Sequence, residues 1–245
     1  MASDSSLPLF YRKPVALQSG LHAKLSFKQA ADYRFALGAN AIPLTTVEIF
    51  NAQRDYPIVF TDEAVPMPVA VVGVRDQANL FVEADGSWRK GAYIPAYIRR
   101  YPFLFAEQSE TKDLTLCVDE SSDLIEAAAD NPLFHDGEPT AVTRKALDFC
   151  LDYQKQHKAT LEFGRTLAQV ELLLPRDARV TLGPQESVTI RGFKMIDEEK
   201  FNLLSGETFL DWRRKGWIAL IYAHLLSLGS WDKLVELARD RAVHR

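Results

Sequence analysis

The sequence predicts an α+β fold, with a central, mostly antiparallel sheet and a helical C-terminal section. Three observations predict it. Between Tyr56 and Asp119, short segments rich in Val, Ile, Phe and Tyr follow one another, each bounded by Asp, Gly, Asn or Pro, as strands and turns are. From Thr140, and again from Phe209, the pattern turns helical. No βαβ unit recurs and no repeat of about 20–50 residues is present, which removes parallel-sheet and solenoid architectures.

Taken in order, residues 1–10 read as a flexible tail and 11–245 as a single compact domain with a looser helical subregion at 197–245. YRKPVAL (11–17) is a short extended lead-in whose Pro14 suits a sheet edge. LSFKQAADYRFAL (25–37) fits either a helix or irregular structure. GANAIPL (38–44) reads as a loop, because Pro43 biases Ile42 away from the helical region. Thr45 or Thr46 then N-caps a helix over VEIFNAQRD (47–55). YPIVFT (56–61), PVAVVGV (68–74), NLFVEA (79–84), YPFLFAE (101–107) and LTLCVD (114–119) follow as strands, with turns at 75–79 and at Asp85-Gly86.

Asp123-Leu124-Ile125-Glu126 spells a capping box that opens a short helix ending before Asn131-Pro132. Residues 140–163 form the longest helix, with Pro139 near its start. AQVELLLP (168–175) and SVTIRGFKMI (187–196) are strands joined by a charged, glycine-containing connection. Residues 209–228 make one helix, or two broken near Gly216. Gly229 ends that stretch, and Ser230 caps a last helix over WDKLVELARDR (231–241), with Arg239 and Arg241 where the dipole favours cations.

Composition narrows the function classes. The 245 residues are 47% hydrophobic and 25% charged, enough for a sizeable core without a disulfide or metal staple. A net charge of −4 argues against a broad nucleic-acid-binding face, so no nucleic-acid partner is expected. Two cysteines, Cys117 and Cys150, sit in apolar surroundings, as reduced, buried thiols do. The N-terminus lacks the basic and apolar blocks of a signal peptide. The most apolar run, WIALIYAHLLSL (217–228), is too short to span a bilayer. A cytoplasmic protein with no membrane span is the expectation.

The most suggestive stretch is YIPAYIRRYPFLF (93–105), where Arg99 and Arg100 stand among Tyr97, Tyr101 and other rings. Within a strand the two arginines point to opposite faces, one toward an internal carboxylate and the other toward solvent or a ligand. Guanidinium planes stack on aromatic rings and fork onto carboxylates or phosphates, so the stretch fits an anion site as well as structural ion pairing. In CVDESSD (117–123), Asp119 and Glu120 offer oxygens for a cation or for acid–base work. The calcium-loop pattern is missing, however, and the same residues fit a helix cap. DWRRKGW (211–217) places Trp212 and Arg213 in a second basic-aromatic cluster, either a solvated helix face beside core tryptophans or a partner surface.

The five histidines, His22, His135, His157, His224 and His244, show no zinc spacing, and HDGE (135–138) reads as a turn, so no metal is expected. His224 reads as a hydrogen-bonded core histidine. The phosphate-loop, dinucleotide and nucleophile-elbow motifs are all missing, and no cofactor is expected.

Several separated motifs, in their joint order, resemble the SapC family of bacteria. They are YRKPVAL with His22, ALGANAIPLTTVEIFNAQRDYPIVF, the hairpin before YIPAYIRRYPFLF, CVDE, GFKMIDEEKFNLLSGE and KGWIALIYAHLLSLGSW. The similarity runs from about Phe10 to the helix after Trp231. The resemblance implies a link to surface-layer or envelope biology. It also implies genomic company with TonB-dependent receptors, cupin-like proteins and tryptophan-halogenase-like flavoproteins, hence a shared pathway for a transported or modified molecule. It carries over no catalytic residue. The leading expectation is a non-catalytic accessory protein that binds a peptide, an anionic ligand or a partner enzyme. Its rival is an enzyme whose Asp119 or Glu120, a histidine and Arg100 are brought together by folding. A third expectation is a homo-oligomer joined through the aromatic strands.

Overall fold

The computed structural model describes residues 7–28, 31–107, 114–127, 130–183 and 186–243. Residues 1–6 of the expected tail, residues 184–185 of the expected connection, and His244 lie outside the described residues. In chain order the elements begin with β1 (Pro14–Ala16), α1 (Ser19–His22), β2 (Ser26–Phe27), β3 (Ala41–Pro43), α2 (Ile49–Ala52), β4 (Ile58–Thr61) and β5 (Pro68–Val71). The middle of the chain gives α3 (Ala96–Arg99), β6 (Phe103–Glu107), β7 (Leu114–Asp119), β8 (Ile125–Glu126), β9 (Phe134–His135), β10 (Glu138–Pro139) and α4 (Ala141–Gln169). The rest comprises β11 (Leu173–Gly183), β12 (Glu186–Ile196), α5 (Glu198–Asn202), α6 (Gly206–Arg214), α7 (Trp217–Ser227) and α8 (Trp231–Val243).

The protein is α+β. All described strand pairs are antiparallel, and the C-terminal section is helical. The chain forms two compact units, one from Met1–Asp32 and Arg99–Lys155, the other from Tyr33–Ile98 and Gln156–Arg245.

The second unit holds a five-stranded sheet in the order β11-β12-β4-β5-β3. Its middle strands carry unbroken apolar runs because they are buried on both faces: Ile58, Val59 and Phe60 of β4, and Val69, Ala70 and Val71 of β5. Helix α7 packs against α2, β4 and β12, and α8 packs against β11. Aromatic rings fill the space beneath, with Phe60 and Phe163 6.3 Å apart, Phe163 and Trp217 5.6 Å, and Trp217 and Trp212 5.9 Å. A buried carboxylate fixes the approach to α2. Thr45 caps the turn at Thr46–Glu48, and Glu48 accepts hydrogen bonds from the Thr45 N–H (2.8 Å) and hydroxyl (2.8 Å). Its other oxygen accepts from the Ala96 N–H (2.6 Å) and the Tyr93 hydroxyl (3.1 Å).

The first unit contains a three-stranded sheet in the order β1-β7-β6 and two small ribbons, β2-β8 and β9-β10. Pro14 stands on the edge strand, where its missing N–H breaks no ladder. The core gathers Phe103, Val118, Leu133, Phe134 and Cys150, with Phe27 and the α4 residues Val142 and Ala146 packed against it.

Several sequence expectations need correction. GANAIPL is not all loop: Ala41–Pro43 pairs with β5 as an edge strand, the position in which Pro43 is tolerated. NLFVEA makes only an isolated bridge, Val82 to Trp88, because the Asn79 side chain accepts from the Phe81 N–H (2.9 Å) and donates to the Ala36 carbonyl (3.2 Å), which bends the segment. The capping box at Asp123 opens no helix. Ser122 Oγ accepts from the Leu124 N–H (3.2 Å), and Ile125–Glu126 pairs with β2 instead. The residues AQ end α4, and β11 continues through the charged residues to Gly183 in a long hairpin with β12. Ser230 does not cap α8; its hydroxyl donates to the Gln53 carbonyl (3.1 Å) from a 3-10 turn at Leu228–Ser230. Gly216, left-handed at φ 76°, separates α6 from α7.

Helix α4 approaches the chain closely at Gly164, where a Cβ would stand 2.0 Å from the Pro66 carbonyl oxygen. Gly164→Ala is expected to destabilise by about 1–3 kcal/mol through overpacking. Gly206→Ala, which meets nothing within 4 Å, is expected to leave the urea midpoint unchanged or slightly raised.

Candidate functional site

The first unit is organised around the end of β7. Asp119 is fully buried, and its carboxylate is surrounded by donors. It accepts from the N–H groups of Arg12 (2.9 Å), Lys13 (3.0 Å) and Ser121 (3.0 Å), and from the Ser121 hydroxyl (2.7 Å). The Tyr101 hydroxyl lies 3.5 Å away, at the outer limit of a hydrogen bond. Burial pushes the Asp119 pKa up, but the hydrogen bonds from Ser121, Arg12 and Lys13 outweigh it and the net shift is downward. The neighbouring Glu120 meets Lys13 Nζ at 2.7 Å and the buried His22 Nε2 at 3.3 Å. The hydrogen bond from Lys13 is the main cause that draws Glu120 below its ordinary value, with His22 adding to it.

On the far side of Tyr101 in sequence, the two arginines leave α3. Arg99 closes that helix and Arg100 follows in a turn, so neither lies in a strand; β6 begins only at Phe103. The expected alternation of the pair across a sheet is therefore corrected to placement by stacking. The Arg100 guanidinium lies over the Tyr153 ring at 4.4 Å and the Tyr11 ring at 5.6 Å. The Arg99 guanidinium lies over Phe149 at 5.2 Å. A guanidinium over a ring face is attracted by the ring's quadrupole, which restrains where the charge sits.

Beside these arginines opens a cleft of about 260 Å³. Arg99, Arg100 and Lys145 bring three cations to it, and Phe27, Tyr101, Phe103 and Phe149 bring four rings. Asn131, Val142 and Ala146 complete the lining, which among the described residues holds no acidic side chain. Of the expected site residues, Arg99, Arg100 and Tyr101 come together here. Tyr97 is buried and does not line the cleft. Asp119 and Glu120 cap no helix; they order the turn after β7. Trp212 is buried in α6 against Trp217, and Arg213 is exposed on the same helix in the other unit.

Sequence reading passed over Lys145, Phe149 and Tyr153. They recur every four residues, one stripe of α4, and that spacing was the available signal. It also passed over His22 as a partner of Glu120, for which no local pattern exists.

His224 is a core residue. It has no solvent exposure, its Nε2 accepts from the Ile196 N–H (3.2 Å), and its ring lies 5.2 Å from that of Phe60. Burial lowers its pKa to about 4. Both cysteines are free and buried, and burial raises the Cys150 thiol to about 11. Among the described residues, no three His, Cys, Asp or Glu side chains are grouped to hold a metal ion, and no helix is long and apolar enough to cross a membrane.

The family model described as SapC matches residues 17–234, and the chain belongs to the SapC family. Neither the curated proteins nor the solved structures contain a significant match.

Two pH effects follow. His224 stays neutral when folded, so its contribution to stability is present above its ordinary value of 6.5 and is lost as pH falls toward about 4. That loss is on the order of 3 kcal/mol, and His224→Gln is expected to flatten the urea midpoint across this window. The contribution of Asp119 is present above the ordinary carboxylate range and is lost as pH falls below it. Asp119→Asn is expected to cost about 1–3 kcal/mol at neutral pH and to remove the acid-side slope; an unchanged midpoint would contradict the role assigned to this carboxylate.

Proposed function

We propose that this SapC-family chain is a non-catalytic binding protein that recognises an anionic ligand, free or carried by a peptide or partner protein, in the cleft beside Arg99 and Arg100. It acts as a cytoplasmic accessory in a surface-layer or envelope pathway. The observation that carries this reading is the lining of the cleft, which among the described residues brings three cationic side chains together with aromatic rings and no carboxylate. Long-range attraction and bidentate hydrogen bonding both favour a carboxylate or phosphate in such a place.

One observation favours the enzymatic rival, the pairing of His22 with Glu120 at 3.3 Å. The other parts of that rival do not join it. Asp119 spends its oxygens on backbone and hydroxyl donors, and the Arg100 guanidinium is stacked on Tyr153 and Tyr11.

Arg99 and Lys145 are exposed, so the double variant Arg99→Ala/Lys145→Ala keeps the fold. Native mass spectrometry of protein recovered from a bacterial lysate is expected to show an anionic adduct on the wild type, reduced at least tenfold on the double variant. Equal retention by the two proteins would overturn the reading.

A further inference from the structure

The apolar part of the cleft restricts its occupant more than its charges do. Phe27 and Phe103 come from β2 and β6, with ring centroids 5.7 Å apart. Val142, Ala146 and Phe149 come from successive turns of α4. Exposure is graded along this lining: Arg99 and Lys145 are exposed, Phe27, Val142, Ala146 and Phe149 are half-buried, and Phe103 is buried. A small polyanion bound here would place unsolvated oxygens against rings, at the cost of burying polar groups without partners. A purely apolar molecule would shield the exposed Lys145 ammonium from water and return nothing to its charge. A ligand with one charged end and one apolar end satisfies the whole gradient. The volume of about 260 Å³ is below the ~300–1,000 Å³ of sites that enclose drug-sized molecules. The apolar body is therefore a single ring or a short chain.

We infer that the cleft binds a small amphipathic monocarboxylate, its carboxylate against Arg99 and Lys145 and its ring or chain against Phe103 and the α4 residues Val142, Ala146 and Phe149. This rests on the anion-binding reading above and narrows it. A free aryl- or alkylcarboxylic acid has this chemistry, and so does the C-terminal residue of a peptide ending in an aromatic side chain.

Isothermal titration of the full chain tests the inference with four probes: 3-phenylpropionate, its primary amide, inorganic phosphate and N-acetylphenylalanine. The expected result is binding of 3-phenylpropionate, with the amide and phosphate each at least tenfold weaker. Tighter binding of N-acetylphenylalanine than of 3-phenylpropionate supports a peptide terminus as the source, and the reverse order supports a free acid. Ala146→Phe fills the apolar part and is expected to abolish 3-phenylpropionate binding. Should that variant not fold, Lys145→Glu at an exposed position is expected to weaken 3-phenylpropionate at least tenfold and leave the amide unchanged. Phosphate binding as tightly as 3-phenylpropionate would overturn the amphipathic assignment and leave the anion site standing. No binding by phosphate or either carboxylate would overturn both.

Discussion

The carboxylate of Asp119 has no contact with water, and the first unit keeps a charge there by turning backbone toward it. Two consecutive N–H groups of the N-terminal lead-in and one from the turn after β7 point at the same two oxygens. A buried charge without such donors would cost several kcal/mol. The lead-in is thus held at the end of β7, the turn that follows is closed, and Glu120 is delivered to Lys13 and His22. Tyr101 lies within 3.5 Å of the same carboxylate, so the residue that follows Arg100 borders both the buried hub and the cleft.

The cleft inherits its order from that arrangement. Tyr11, which packs edge-on to Tyr101 at 5.2 Å and donates to the Phe103 carbonyl at 2.7 Å, also lies beneath the Arg100 guanidinium. Long cationic side chains lose rotamer entropy when a ligand fixes them. Stacking on rings meets part of that cost before binding and leaves a pre-organised surface. The second unit uses the same device for a different end: Glu48 gathers Thr45, Tyr93 and Ala96 around one buried carboxylate, and there the result is a fixed loop.

Much of the fold was legible in the sequence. Buried strands announced themselves as apolar runs at YPIVF and YPFLF, and α4 as a long helical period. Two of the failures share a physical cause. Asn79 and Ser122 turned local backbone by side-chain hydrogen bonds, which override a strand or helix propensity without altering the apolar pattern. Of the cleft, Arg99, Arg100 and Tyr101 were legible as a cationic aromatic run. Lys145 and Phe149 lay within a stripe that reads equally well as an ordinary helix face. Phe27 and Asn131 are brought in by pairing of short segments that carry too few residues to declare a register.

The most direct measurement is residue-resolved NMR of the isotopically labelled chain during titration with 3-phenylpropionate. Saturable shifts are expected, confined to Phe27, the Arg99–Phe103 segment, Asn131 and the Val142–Phe149 face of α4, with the Asp119 hub undisturbed. Shifts centred on Glu120 and His22, or on the α6 cluster around Trp212 and Arg213, with the cleft silent, would contradict the binding role assigned to the cleft.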